Sequence, residues 1–283
     1  MEALEEVQLE IGQFLASSGS GPENDSIAAR ELTAFSDREL VLTAYSQGEI
    51  LIGVASEQIT CFIRACAEPT LTIATWSTVR AVIESCALAS WLLDPSIDVR
   101  ARVKRSFAFR FEGLEQQVRM ARTTSFPGSI ETSSRRIDDV EERALALGFE
   151  KLVNGKGKRT GIGQVMPSIT TLVRETLNEE GAYRLLSAVT HGHHWALQQV
   201  SYQVVHASDA PTGLKVLQKV ARPICFQYLA QQAMKAFTSA AQNKTRLYGW
   251  NQELLEERIR IHNQRVNKLA KAIEFKAEGG EAG

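Results

Sequence analysis

The stretch Thr70–Leu93, TLTIATWSTVRAVIESCALASWLL, decides the fold. It is long enough to span a bilayer, which needs about 20 apolar residues. Yet Arg80 and Glu84 sit near its middle among many Ser and Thr. Each central charge costs about 2.5–3.5 kcal/mol on an insertion scale, so the stretch reads as the buried core helix of a soluble protein. Arg80 and Glu84 stand at i and i+4 and are therefore neighbours on one helical face. Trp76 and Trp91 lie close to the same line. Such a pair either bridges helices to fix their register or marks a functional cleft in which Glu84 orients a basic group from a facing helix.

Outward from this helix, helical periodicity continues almost everywhere and strand signals are nearly absent, which predicts an all-α chain. A helix over about 2–16 precedes SSGSGPENDS, whose composition suits a flexible linker. A long helix is expected over 28–68, ended by Pro69. Further helices are expected over 96–123 with Ser96 as cap, 130–147 ended by Gly148, 167–178, 181–207, 212–242 and 247–275. The expected architecture is a bundle of long antiparallel helices with a short N-terminal helical arm. Residues 1–27 would form the arm and its linker, 28–276 the bundle and 277–283 a disordered tail.

Apolar residues make up 44% and charged residues 23%, so a packed core is expected. The formal net charge of −1 excludes a globally basic nucleic-acid binder. No signal-peptide layout opens the chain. The cysteines (Cys61, Cys66, Cys86, Cys225) lie in apolar helical patterns without CxxC spacing, as expected of buried, reduced thiols in a cytoplasmic protein. Two basic stretches could help hold a polyanion. One is Arg100, Arg102, Lys104, Arg105 and Arg110; the other is Lys156, Lys158 and Arg159 in the glycine loop 154–163. That loop lacks P-loop order and reads as mobile.

Chemistry concentrates in YRLLSAVTHGHHWALQQVSYQVVH, Tyr183–His206, which holds all but one of the five histidines. On a continuous helix advancing about 100° per residue, with Arg184 at zero, His191 falls at about −20°, Ser187 at about −60° and His194 at about −80°. Gln198 and Tyr202 share that polar arc, while His193 lands on the apolar side as a core histidine. A zinc site would draw on His191 and His194, but helical zinc pairs of the HExxH type use i and i+4 with a glutamate base, and no such glutamate is present. An acid/base reading uses His191 as proton carrier and Arg184, about 10 Å along the axis at 1.5 Å per residue, as a phosphate grip. A plain structural Arg/His pair stands beside it.

Arg184-LLSAVT-His191 is an R-x6-H element on a late helix of an all-α chain. This resembles the R-x4–6-H motif of the HEPN superfamily. The spacing Tyr183-xx-Leu186-Ser187-xxx-His191, preceded by the Arg80-xxx-Glu84 helix, is similar to the uncharacterised bacterial HEPN-like branch, over roughly residues 40–235. The resemblance implies a helical bundle that pairs into a homodimer with two such elements facing one cleft. Active members are metal-independent ribonucleases of toxin–antitoxin and antiphage systems, in which His191 would act at the ribose 2′-hydroxyl and Arg184 would stabilise the phosphate. Many members are non-catalytic binding or assembly modules. Leu185 stands where active nucleases often carry a polar residue. Three readings follow: a non-catalytic HEPN-like regulator or binding module, a ribonuclease using Arg184 and His191, and a metal or small-molecule site built from Glu84, His191 and His194. The first two need no cofactor, and RNA is the partner that the second implies.

Overall fold

The computed structural model describes residues 2–17, 21–124, 127–205 and 216–260. The chain is an all-α helical bundle with two short β-hairpins. In chain order the helices are α1 (Glu2–Ser17), α2 (Ile27–Ala34), α3 (Arg38–Ala65), α4 (Ala74–Leu92), α5 (Val99–Thr123) and α6 (Pro127–Ala146). Then come α7 (Ile169–Leu172), which runs into a π turn (Val173–Leu177), α8 (Glu180–Thr190), α9 (His194–Val200) and α10 (Pro223–Tyr248). Residues 252–260 are also helical. The expected continuation of that helix and the tail lie outside the described residues.

α4 is the central helix. Trp76, Val79, Ile83, Cys86, Ala87 and Leu92 are all sealed from solvent, so apolar side chains cover most of its circumference. It packs against α3, α10, α8 and the π turn. Among the described residues no helix is long and apolar enough to cross a membrane. α3 approaches α4 at a glycine: a Cβ on Gly48 would come within 2.4 Å of Leu93 Cγ, so only a residue without one fits there.

Several boundaries depart from expectation for identifiable reasons. The helix expected over 28–68 is two. Asp37 accepts from Leu40 N–H to begin α3, and its carboxylate also receives Arg143 Nε and Nη2 at 3.0 and 2.9 Å. At α5 the cap is Asp98, which accepts from Ala101 N–H at 2.7 Å, while Ser96 bonds Asp94 instead. The N-terminal helix packs on the bundle. Leu4, Val7, Ile11 and Phe14 join the common core, and Gln8 donates to Ser56 O and Thr60 Oγ1 on α3. The described part of the following segment is tied down as well, with Glu23 N–H on Tyr248 O and Trp250 Nε1 on Gly21 O.

Within the first basic stretch Arg100, Arg102 and Arg105 are committed to partners inside the protein. Arg102 is fully buried; it grips Glu31 of α2 at 2.8 and 3.1 Å and donates to the Leu92 and Asp94 carbonyls that end α4. Tyr45 adds its hydroxyl to the same carboxylate at 2.5 Å. Burial, and then the bond to Glu31, hold that phenol far above its ordinary pKa. Arg105 bonds Trp91 O and Asp94, and Arg100 bonds the Leu147 and Gly148 carbonyls at the end of α6.

The glycine loop is the turn of a hairpin, β1 (Lys151–Val153) with β2 (Arg159–Ile162). Asn154 Oδ1 accepts from the N–H groups of Lys156 and Lys158, and Gly157 takes a positive φ. Arg159 then pins the hairpin to Asp138 and Glu141 of α6 at 2.8 and 3.0 Å. A second hairpin, β3 (Tyr202–Val205) with β4 (Val216–Lys219), replaces the expected helical ends around 205 and 215. Pro223 then starts α10 at its first turn.

All the cysteines are free thiols, but only Cys86 is buried; Cys66 and Cys225 are half-buried and Cys61 is exposed. Burial pushes the Cys66 thiol up to about 11 and raises Cys86 as well, so both are held in the protonated, unreactive form.

Candidate functional site

The helix expected over 181–207 ends at Thr190. His191 is its C-cap and Gly192 takes φ 72°. Gly192 N–H bonds Val189 O at 3.0 Å and His193 N–H bonds Ala188 O at 2.9 Å, the paired closure of a Schellman stop. The chain then turns and restarts at His194. The continuous projection therefore fails beyond His191. His193 is exposed at the turn rather than buried in the core, His194 opens α9 in solvent, and Tyr202 belongs to β3. Gly192 was the signal in the sequence, a glycine directly after the last residue of the apolar period.

Arg184 does not meet His191. Its guanidinium lies on α8's exposed side, with side-chain accessibility of 68%, and bonds Glu180 one turn earlier at 2.7–2.9 Å. Glu180 also faces Arg174 Nη1 at 3.8 Å. The arginine that reaches His191 is Arg80 of α4, whose Nη1 lies 3.3 Å from Nε2. An arginine can only donate. Nε2 must therefore be the acceptor, which puts the ring proton on Nδ1.

Around this contact α4 and α8 form a polar seam. Ser77, Arg80, Glu84 and Ala87 recur at spacings of three and four, hence on one face of α4. Ser77 Oγ lies 3.3 Å from Thr190 Oγ1, and Ala87 O accepts from Thr176 Oγ1 at 3.5 Å. Between them Arg80 Nε sits 2.9 Å from Glu84 Oε1. The angle there is too poor for a directed hydrogen bond, so this is a charge contact. Arg80 Nη2 donates to Tyr183 Oη at 3.4 Å, and Tyr183 Oη donates to Glu84 Oε1 at 2.8 Å. The guanidinium also lies over the Tyr183 ring, 5.6 Å from its centroid.

The electrostatics match this closed arrangement. Burial opposes the charge on Arg80, but the bond to Tyr183 and the charge of Glu84 outweigh it and hold the guanidinium's pKa above its ordinary value. Burial raises Tyr183; Arg80 pulls it down and Glu84 pushes it up, leaving it raised on balance. Tyr183 thus remains a phenol that donates to Glu84 and cannot serve as a base near neutrality. Each nitrogen of Arg80 already faces a partner within the seam.

Of the residues singled out from the sequence, the fold brings Arg80, Glu84 and His191 together. Tyr183, named in the sequence only as part of the motif spacing, completes the group. Ser187 contributes its backbone carbonyl to His191 N–H at 2.9 Å and is otherwise half-buried beside the cluster. Arg184 and His194 stand outside it. Among the described residues no three histidine, cysteine, aspartate or glutamate side chains gather as a metal site, and Glu84 is committed to Arg80 and Tyr183. Compared with known proteins, the chain matches no family model, no curated protein and no solved structure.

Proposed function

We propose that this chain is a HEPN-like helical binding module of the cytoplasm, in which the α4–α8 seam is a structural lock and the α8–α9 corner is the docking surface. The observation that carries this reading is the contact of Arg80 with His191. Nε2, the atom that would take a proton from a ribose hydroxyl, is occupied by an arginine whose own charge is met by Glu84. Arg184, the other half of the R-x6-H element, is turned to Glu180. The corner beside the seam carries His193 and His194 in solvent and Trp195 at 53% exposure. An exposed tryptophan flanked by polar side chains has the character of an interface anchor. The partner we assign to it is a second copy of the chain, and a bacterial toxin or defence complex is the setting that the HEPN resemblance implies.

The test has two arms. Single-stranded RNA incubated with the protein in the presence of a chelator is expected to stay intact, with wild type and His191→Ala indistinguishable. Light scattering across a concentration series is expected to show a dimer whose dissociation constant rises at least tenfold in Trp195→Ala. Cleavage that disappears in His191→Ala would establish the ribonuclease reading instead. A monomer at all concentrations would remove the docking surface.

A further inference from the structure

The groove where α3, α5 and α6 meet has a volume of about 520 Å³. That is within the ordinary range for small-molecule sites, about 300–1,000 Å³. Arg110, Gly113 and Gln117 of α5 recur at spacings of three and four and so present one stripe to it. α6 contributes Arg136, and α3 contributes Gln47. Ser133, one turn before Arg136, donates to Gln117 Oε1 at 3.5 Å and ties the two walls together.

Two features of this groove bear on what it could hold. The first is uncompensated charge. On these helices Arg102, Arg105, Arg119 and Arg143 are matched by Glu31, Asp94, Glu115 and Asp37, while Arg122 and Arg135 are exposed and have no ion pair among the described residues, but neither lines the groove. Arg110 and Arg136 are exposed, have no acidic partner among the described residues, and face a lining without a carboxylate. Two guanidinium groups beside one cavity repel each other unless an anion sits between them. The second feature is unfilled polar and steric room. Gln47 Oε1 is buried at the groove without a hydrogen-bond partner. Gly113, mid-helix, has nothing within 4 Å of where a Cβ would stand, so no neighbour within the protein requires a glycine there. A glycine at such a position costs about 0.5–1 kcal/mol of helix stability relative to alanine, and Gly113 leaves open space along the groove wall.

We propose that this groove binds a phosphate monoester of sugar size, with Arg110 and Arg136 gripping the phosphate and the amides of Gln47 and Gln117 meeting the polar body. Guanidinium groups recognise phosphate oxygens through paired N–H donors, a geometry that a single lysine cannot reproduce. The half-buried Phe109 closes one side. This site is separate from the α4–α8 seam and does not depend on the reading of Arg80 and His191.

Titration calorimetry of the full chain with ribose 5-phosphate, inorganic phosphate and ribose tests it. Ribose 5-phosphate is expected to bind, inorganic phosphate to bind at least tenfold more weakly, and ribose not to bind. Arg110→Gln with Arg136→Gln is expected to weaken ribose 5-phosphate at least tenfold. Gly113→Met, which keeps both charges and fills that open space, is expected to block it as well. Thermal unfolding midpoints close to wild type establish that both variants are folded. Binding of the ester no tighter than ribose would overturn the site, as would undiminished binding in either variant. Equal affinity for inorganic phosphate and the ester would overturn the assignment of a monoester.

Discussion

Replacing Arg102 with Met is expected to destabilise the fold by about 3–5 kcal/mol, the usual cost of removing one member of a buried ion pair. The cost comes from the groups left behind. Glu31 keeps only 7% of its side-chain surface in water, and without Arg102 its carboxylate retains the Tyr45 hydroxyl as its remaining partner. The Leu92 and Asp94 carbonyls at the end of α4 lose their donors too, and a buried carbonyl without a partner carries its own penalty. The loss falls where α2, α3, α4 and α5 meet, so it weakens the joint between the first helices and the central one. A second substitution separates the charge from the packing. In Arg102→Met with Glu31→Leu both charges are gone, and replacing a buried pair with apolar side chains is often neutral. Urea unfolding of the two variants should therefore show the double variant recovering most of the loss. A single variant within about 1 kcal/mol of wild type would mean that the pair is no such clamp, since exposed pairs contribute at most about that much. A double variant worse than the single would mean the same.

Trp76→Ala is expected to cost about 3–5 kcal/mol, the range for deleting a buried aromatic side chain. Trp76 stands in the first turn of α4 with 2% of its surface exposed, and its ring lies 6.3 Å from that of Tyr228 on α10. It lies four residues before Arg80, so the two are neighbours on α4, and its ring faces Tyr228 of α10. The cavity would open inside the core, where α4 and α10 pack against each other. Trp76→Phe, which keeps a ring against Tyr228, should lose less than half as much. Chemical unfolding with both variants checks this, and equal losses for Ala and Phe would contradict it.

Much of the architecture was open to reading from the sequence, and the exceptions share a cause. α4 could be placed because its two charges stand at i and i+4 in an otherwise apolar run. The stop at Gly148 was visible as a glycine after an amphipathic period. Arg102 could not be told from its basic neighbours, because its burial is decided by Glu31, which is distant in sequence and meets it only in the folded chain. The break before Asp37 was hidden for a similar reason: an aspartate within a helical pattern becomes a cap when a partner such as Arg143 holds it. The hairpin strands span only three or four residues, too few for alternation to register against a helical background. At the candidate site the helical projection was sound up to His191, and Gly192 marks where it ceased to apply. Sequence spacing paired His191 with Arg184 along one helix; the fold pairs it with Arg80 across two.

That exchange of partners is the centre of the account, and the nitrogen resonances of the His191 ring test it directly. Two-bond ¹H–¹⁵N correlation spectra at neutral pH are expected to show Nδ1 protonated and Nε2 as the accepting nitrogen. Arg80→Gln is expected to shift the Nε2 resonance, while Arg184→Gln leaves it in place. A ring protonated on Nε2, or one that responds to Arg184→Gln and not to Arg80→Gln, would contradict the Arg80–His191 lock and return the R-x6-H pair to the centre of the site.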